Sequence, residues 1–157
     1  MSRDINRMTP ELKEKYIAFK GSMEQAGIPF IVTSVDRNIL EQMALYVQGR
    51  LNLKDVNRFR KAAGLYLFKN EIENKNEVTW TLESMHVVNT MDSMLDNDLS
   101  RAFDIAIIKD GKAEWNLKAD INENQMPDYQ EAGLIGERCG LSWGGRFPKQ
   151  DMPHYQL

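Results

Sequence analysis

Two histidines and one cysteine occur in 157 residues, and that scarcity decides which chemistry the chain could carry. Cys139 has no second cysteine, so an internal disulfide and a thiolate metal site are both excluded. No histidine lies near it in sequence, which favours a buried helix residue over a nucleophile. A catalytic zinc-type centre needs about three protein ligands from His, Asp, Glu or Cys, with one position left open for water. With cysteine set aside, His86, His154 and one carboxylate are the only histidine-rich way to build it. Asp104 is the best carboxylate, because it stands among Phe103, Ile105 and Ile107, where an unpaired charge is costly to bury. The residues alone leave a second reading open. In it Asp104 starts a strand, pairs with Arg101 and faces solvent, and each histidine is an ordinary hydrogen-bonded side chain.

The elements that must position these residues follow from periodicity. Leu12, Tyr16, Phe19, Met23 and Ala26 recur at helical spacing over Pro10 to Ala26, with Thr9-Pro10 as cap and first turn and Gly27 as the stop. Pro29 to Val35 is short and β-branched, a strand that delivers Asp36 and Arg37 to its exit. Asn38 and Glu41 form a capping-box pattern ahead of a helix ending at Gly49. A third helix is expected from Leu53 to Ala63, with Arg58, Arg60 and Lys61 on a solvated face. Asn70 to Glu77 reads as polar turn, and Val78 to Leu82 alternates like a strand just before His86. Phe103 to Ile108 is another strand, joined by Asp110-Gly111 to a partner over Ala113 to Leu117. A helix over Pro127 to Cys139 and a terminal strand from His154 to Leu157 complete the chain. Helices first and antiparallel strands later predict an α+β fold: one domain over 1–157, its small antiparallel sheet carrying the candidate metal ligands and packed against N-terminal helices.

Composition narrows the partners. Hydrophobic residues at 42% and charged residues at 27% match a folded chain, not a disordered one. A net charge of −3 argues against nucleic acid as the main partner. No apolar run is long enough for a membrane span, and the first ten residues lack a signal-peptide core, so synthesis in the cytoplasm is expected. A monomer is the expected state. The Asp92, Asp96, Asp98 cluster offers oxygens of the kind calcium takes, but it matches no full calcium-loop pattern, and a solvated acidic loop is the favoured reading.

Three pieces of sequence resemble one family. Ser84-Met85-His86, with Arg101-Ala102-Phe103-Asp104-Ile105, looks like the Ser-x-His and Ala-x-Asp halves of a signature of the D-Ala-D-Ala carboxypeptidase and L-alanyl-D-glutamate endopeptidase family. Asp151-Met152-Pro153-His154 resembles its other signature. Thr33 to Arg37, with Gln42 and Tyr46 to Arg50 downstream, is similar to the family's arginine segment, and Leu141 to Gly145 matches its phage endolysin branch. One departure is the 18 positions between His86 and Asp104 (104 − 86), far more than the family's common spacing. An inserted loop over Val87 to Ser100 accounts for it, since loop length costs closure entropy only logarithmically. The rival alignment places Asn97 at the histidine position and leaves Ser84-Met85-His86 unexplained.

The resemblance implies zinc held by His86, Asp104 and His154, Asp151 as general base, and Arg37 as an electrophilic or carboxylate-clamping residue. It implies a substrate in the peptidoglycan stem peptide and, most specifically, an L-alanyl-D-glutamate endopeptidase of the phage endolysin type. Such a lysin reaches the wall through a separate membrane-permeabilising protein and needs no wall-binding domain of its own. A D,D-carboxypeptidase or dipeptidase on D-Ala-D-Ala is the alternative within the enzymes, and a non-catalytic metal- or wall-binding module is the alternative outside them. Trp143 and the glycines after it would either shape the cleft or pack on a turn.

Overall fold

The computed structural model describes residues 1–88 and 99–157. The acidic stretch from Asp92 to Asp98, considered above for calcium, lies outside the described residues, as does Asn97. In chain order the elements are α1 (Pro10–Gln25), β1 (Phe30–Ser34), α2 (Ile39–Val47), α3 (Leu53–Ala62), α4 (Glu71–Asn74), β2 (Ala102–Lys109), β3 (Lys112–Glu114), α5 (Asp128–Arg138), β4 (Ser142–Trp143) and β5 (His154–Gln156). Short 3-10 turns lie at Ile5–Arg7 and Gly144–Arg146. The fold is α+β. Two compact units can be described separately: Ser2–Asp36 with Leu99–Leu157, and Met1 with Arg37–Asp98. No helix among the described residues is long and apolar enough to cross a membrane.

The first unit is built on an antiparallel five-stranded sheet in which β2 is the hub. β1 runs along one side of it, with Phe30 opposite Ile107 and Val32 opposite Ile105. On the other side β5 pairs the first half of β2 and β3 the second half. β4 extends the sheet beyond β5. The turn between β2 and β3 is the one expected at Asp110-Gly111, where both residues take positive φ (51° and 75°). Side chains alternate along β2, so Phe103, Ile105 and Ile107 enter the core while Asp104 points to the opposite face.

Two helices cover the core side. Thr9 caps α1 by accepting from the Leu12 N–H, and Leu12, Tyr16, Phe19 and Met23 form its buried stripe. α5 contributes Tyr129, Ala132 and Ile135. The sheet therefore packs on the N-terminal helix α1 and also on the C-terminal helix α5. Phe103 stacks on Tyr155 at 5.3 Å between ring centres, and Phe19 lies against both. Each such ring or aliphatic side chain contributes about 1.5–3 kcal/mol by leaving water.

The Tyr155 hydroxyl is buried in this stack with no hydrogen-bond partner among the described residues, and burial pushes its phenol well above the ordinary range. An unsatisfied polar group in an apolar core costs free energy that a ring of the same shape avoids. Tyr155→Phe is accordingly expected to leave the unfolding free energy unchanged or raise it by about 1 kcal/mol. A urea titration checks this, and a loss of stability would contradict it.

The second unit carries α2, α3 and α4. The capping box is complete: Asn38 accepts from the Glu41 N–H, and the Glu41 carboxylate accepts from the Asn38 N–H, each at 2.9 Å. Two expectations fail here. Arg60 is buried, not solvated: Nε donates to the Tyr66 carbonyl at 2.5 Å, Nη1 donates to Gln48 Oε1 at 3.2 Å, and the guanidinium lies over the Phe68 ring. Val78 to Leu82 is irregular chain instead of a strand. Its polar groups are taken by side chains: Gln42 Nε2 donates to Thr79 Oγ1 and to the Thr81 carbonyl, and Arg50 Nη1 donates to the Thr79 carbonyl. Within the supposed polar turn, Asn70 caps the one-turn helix α4.

Candidate metal centre

Asp104 and His154 face each other as a register pair between β2 and β5. The loop before His154 is fastened to the strand by the Ile105 N–H, which donates to the Pro153 carbonyl at 3.0 Å. On the other side of β2 the pairing with β1 slips between Val32 and Ser34, so that Ser34 lies opposite Asp104. A bulge of this kind increases local twist and re-aims side chains.

The His154 ring is buried between two oxygens: Nδ1 lies 2.9 Å from Asp104 Oδ1, and Nε2 lies 2.9 Å from Gln156 Oε1. Phe147 adds an aromatic wall at 5.8 Å between ring centres. Burial by itself pushes the imidazole pKa down, but hydrogen bonding and charge from Asp104, with smaller contributions from Gln156 and Asp151, more than offset it and leave it raised. A neutral imidazole has one N–H and one lone pair, so it can satisfy only one of the two oxygens it faces. A cation shared by Nδ1 and the Asp104 carboxylate removes the conflict and leaves the Nε2–H for Gln156. The donors therefore fit a metal ion of the kind that takes imidazole and carboxylate together.

Asp151 lies in the same unit and is half-buried. Its N–H donates to the Gly144 carbonyl at 2.9 Å, and its own carbonyl accepts from the His154 N–H at 3.1 Å. Trp143 takes the packed role of the two considered: it is buried, its Nε1 donates to the Met152 carbonyl at 2.9 Å, and it lies against Gly133 and Gly145. Cys139 caps the end of α5 and is half-buried.

His86 and Arg37 belong to the other unit, where backbone pairing brings them together. The Arg37 N–H donates to the His86 carbonyl at 2.9 Å, and the Val88 N–H donates to the Arg37 carbonyl at 3.0 Å. The His86 side chain is buried. Arg37 Nη1 donates to Gln42 Oε1 at 3.3 Å, and the Gln42 amide nitrogen is spent on Thr79 and Thr81 as described. Gln42 thus hangs between α2 and the 79–81 segment with its oxygen turned to Arg37. Gln42→Leu keeps the volume but removes the amide that donates to the Thr79 hydroxyl and the Thr81 carbonyl, leaving them only their long mutual contact of 3.5 Å, and is expected to cost about 1–3 kcal/mol of stability. Denaturant unfolding of the variant measures it; no loss would show that water replaces the amide.

The structure thus joins Asp104 with His154 and Asp151 in one unit, and Arg37 with His86 and Gln42 in the other. Asp104 is the third residue of β2 and engages His154, so the solvent-facing reading of it falls. Gln156 and Phe147 were not singled out from sequence. Gln156 could have been, because residues two apart on a strand share a face.

No protein-family model matches the chain. Peptidoglycan L-alanyl-D-glutamate endopeptidase CwlK from Bacillus subtilis (strain 168) is 25% identical over 150 residues, covering 94% of this chain and 72% of that protein. The crystal structure of the L-Ala D-Glu endopeptidase ChiX from Serratia marcescens aligns with 98% of this chain and 82% of its own, at a TM-score of 0.55 and 18% identity, a likeness of fold. The two comparisons name the same kind of enzyme, and this chain is similar to L-alanyl-D-glutamate endopeptidases, to one in sequence and to another in fold.

Proposed function

We propose that the chain is a zinc-dependent hydrolase that cuts a peptide bond of the peptidoglycan stem, between L-alanine and D-glutamate, and serves as a phage-type endolysin. The observation that carries the proposal is the His154 ring held between Asp104 and Gln156, a pairing that suits a cation on Nδ1. His86, Asp104 and His154 are a donor set that could hold a metal ion, two buried imidazoles and a half-buried carboxylate. The likeness to CwlK supports the choice of bond.

Zinc bound by these three residues would polarise the scissile carbonyl and bring the pKa of the attacking water down to about 7. Asp151 takes a proton from that water as its oxygen bonds to the carbonyl carbon. It then hands the proton to the departing amine nitrogen as the C–N bond breaks, so the carboxylate ends the cycle as it began. Arg37 holds a carboxylate of the substrate or the oxyanion that develops on the carbonyl oxygen, a task suited to a fixed guanidinium. Gln42 limits the directions that guanidinium can take.

The test is mass spectrometry of fragments released from purified peptidoglycan by the intact protein, a chelator-treated sample and His154→Ala. Metal-dependent release of fragments with a new N-terminal D-glutamate is the expected result. Loss of terminal D-alanine alone would move the protein to the carboxypeptidases, and no cleavage by folded, zinc-loaded protein would end the hydrolase proposal.

A further inference from the structure

Side chains on β5 alternate: Tyr155 enters the core stack, while His154 and Gln156 share the opposite face. The Gln156 backbone is gripped on both sides, opposite Ala102 of β2 and Ser142 of β4, so the origin of its side chain is fixed. Its Oε1 lies 2.9 Å from His154 Nε2. A carboxamide oxygen only accepts, so this contact requires the proton on Nε2 and leaves Nδ1 to face Asp104.

We propose that Gln156 is a positioning residue of the metal centre, holding His154 in the Nε2–H form with its ring turned so that the Nδ1 lone pair is presented to the ion beside Asp104. The inference rests on the zinc assignment made above and deepens it. A partner on the far nitrogen of a ligating imidazole sets both tautomer and ring orientation, and its loss typically costs 10–100-fold in metal affinity. A neutral carboxamide does this without placing a second negative charge next to Asp104. Glutamate at 156 would keep the acceptor, whereas leucine would keep the bulk and lose it.

The experiment is competition for zinc between a chromophoric chelator and the full chain as wild type, Gln156→Glu and Gln156→Leu, with thermal melts of the metal-free proteins alongside. We expect Gln156→Leu to bind zinc roughly 10–100-fold more weakly, Gln156→Glu to keep most of the affinity, and the melts to differ little. If the leucine variant is unfolded, Gln156→Met, unbranched and of similar length, takes its place. A folded leucine or methionine variant that binds like wild type overturns the inference, as does a glutamate variant that loses as much as leucine, because packing would then be the role of the side chain. A wild-type chain that binds no zinc fails in a different arm, and sinks the zinc assignment together with what is built on it.

Discussion

Asp151→Asn is expected to lower kcat by roughly 10²–10⁴-fold while zinc content stays that of wild type. Asparagine fills the same space and leaves the backbone of residue 151 free to keep both its bonds, to Gly144 and to His154. What it loses is the carboxylate that, in the proposed mechanism, takes a proton from water and gives it to the leaving amine. The Asp151 carboxylate is close enough to His154 for its charge to help raise that imidazole's pKa. A purely structural acid would behave otherwise: its loss would lower zinc content or stability and leave the turnover of loaded enzyme intact. Steady-state kinetics on a soluble stem-peptide fragment, with metal content measured on the same sample, separates the cases. Unchanged kcat at full zinc occupancy would remove Asp151 from the chemistry.

Gly144→Ala is expected to cost about 1–3 kcal/mol in stability, or more, and to weaken zinc binding at the same time. A β-carbon built at this position would stand 2.3 Å from the Asp151 carbonyl oxygen and 2.9 Å from His154 Cβ. The first is backbone, already engaged by the His154 N–H, and cannot swing aside. Relief therefore has to come from displacing the segment that carries both Asp151 and His154. Gly21 supplies the control: it lies within α1, where an added methyl would meet nothing within 4 Å, so Gly21→Ala should instead stabilise by about 0.5–1 kcal/mol. Thermal melts and chelator competition on the two variants report the contrast, and a Gly144→Ala protein as stable as wild type would refute the steric account.

These effects bear on how much could be seen in the residues alone. α1 was legible because one face of it is buried, which stamps the helical period on the sequence, and β1 and β2 because their short runs are rich in β-branched and apolar residues. The β2–β3 turn was legible because Asp-Gly meets its positive φ angles. Val78 to Leu82 has the alternation of a strand, but its polar groups are satisfied by the Gln42 and Arg50 side chains, distant in sequence, and no local pattern reveals that. Arg60 misled for a related reason: a guanidinium can be buried when carbonyls and a ring receive it, and those partners belong to later loops. At the site, residue types alone left Asp104 undecided between solvent and metal. Motif resemblance favoured the metal, and the Asp104–His154 register is what removes the solvent-facing alternative. Gln156 belongs to none of the motifs, and only its spacing of two from His154 on one strand could have pointed to it.

The position of residues 37–98 between β1 and β2 has a consequence for the order of assembly. The two strands are neighbours in the sheet, yet the Ser100 hydroxyl that donates to the Val35 carbonyl at their edge does so across 65 residues of chain. Closing so long an excursion adds little to the equilibrium cost, about 0.6 kcal/mol for each doubling of length. Its weight falls on rate, since distant pairings slow the search for the native topology. Asp104 must also wait for His154, 50 residues further on. Local helices can flicker early in such a chain, but the carboxylate–imidazole pair exists only after the sheet has closed from both directions. A cation on that pair, as proposed, would therefore lock the finished fold without serving as the template on which it forms.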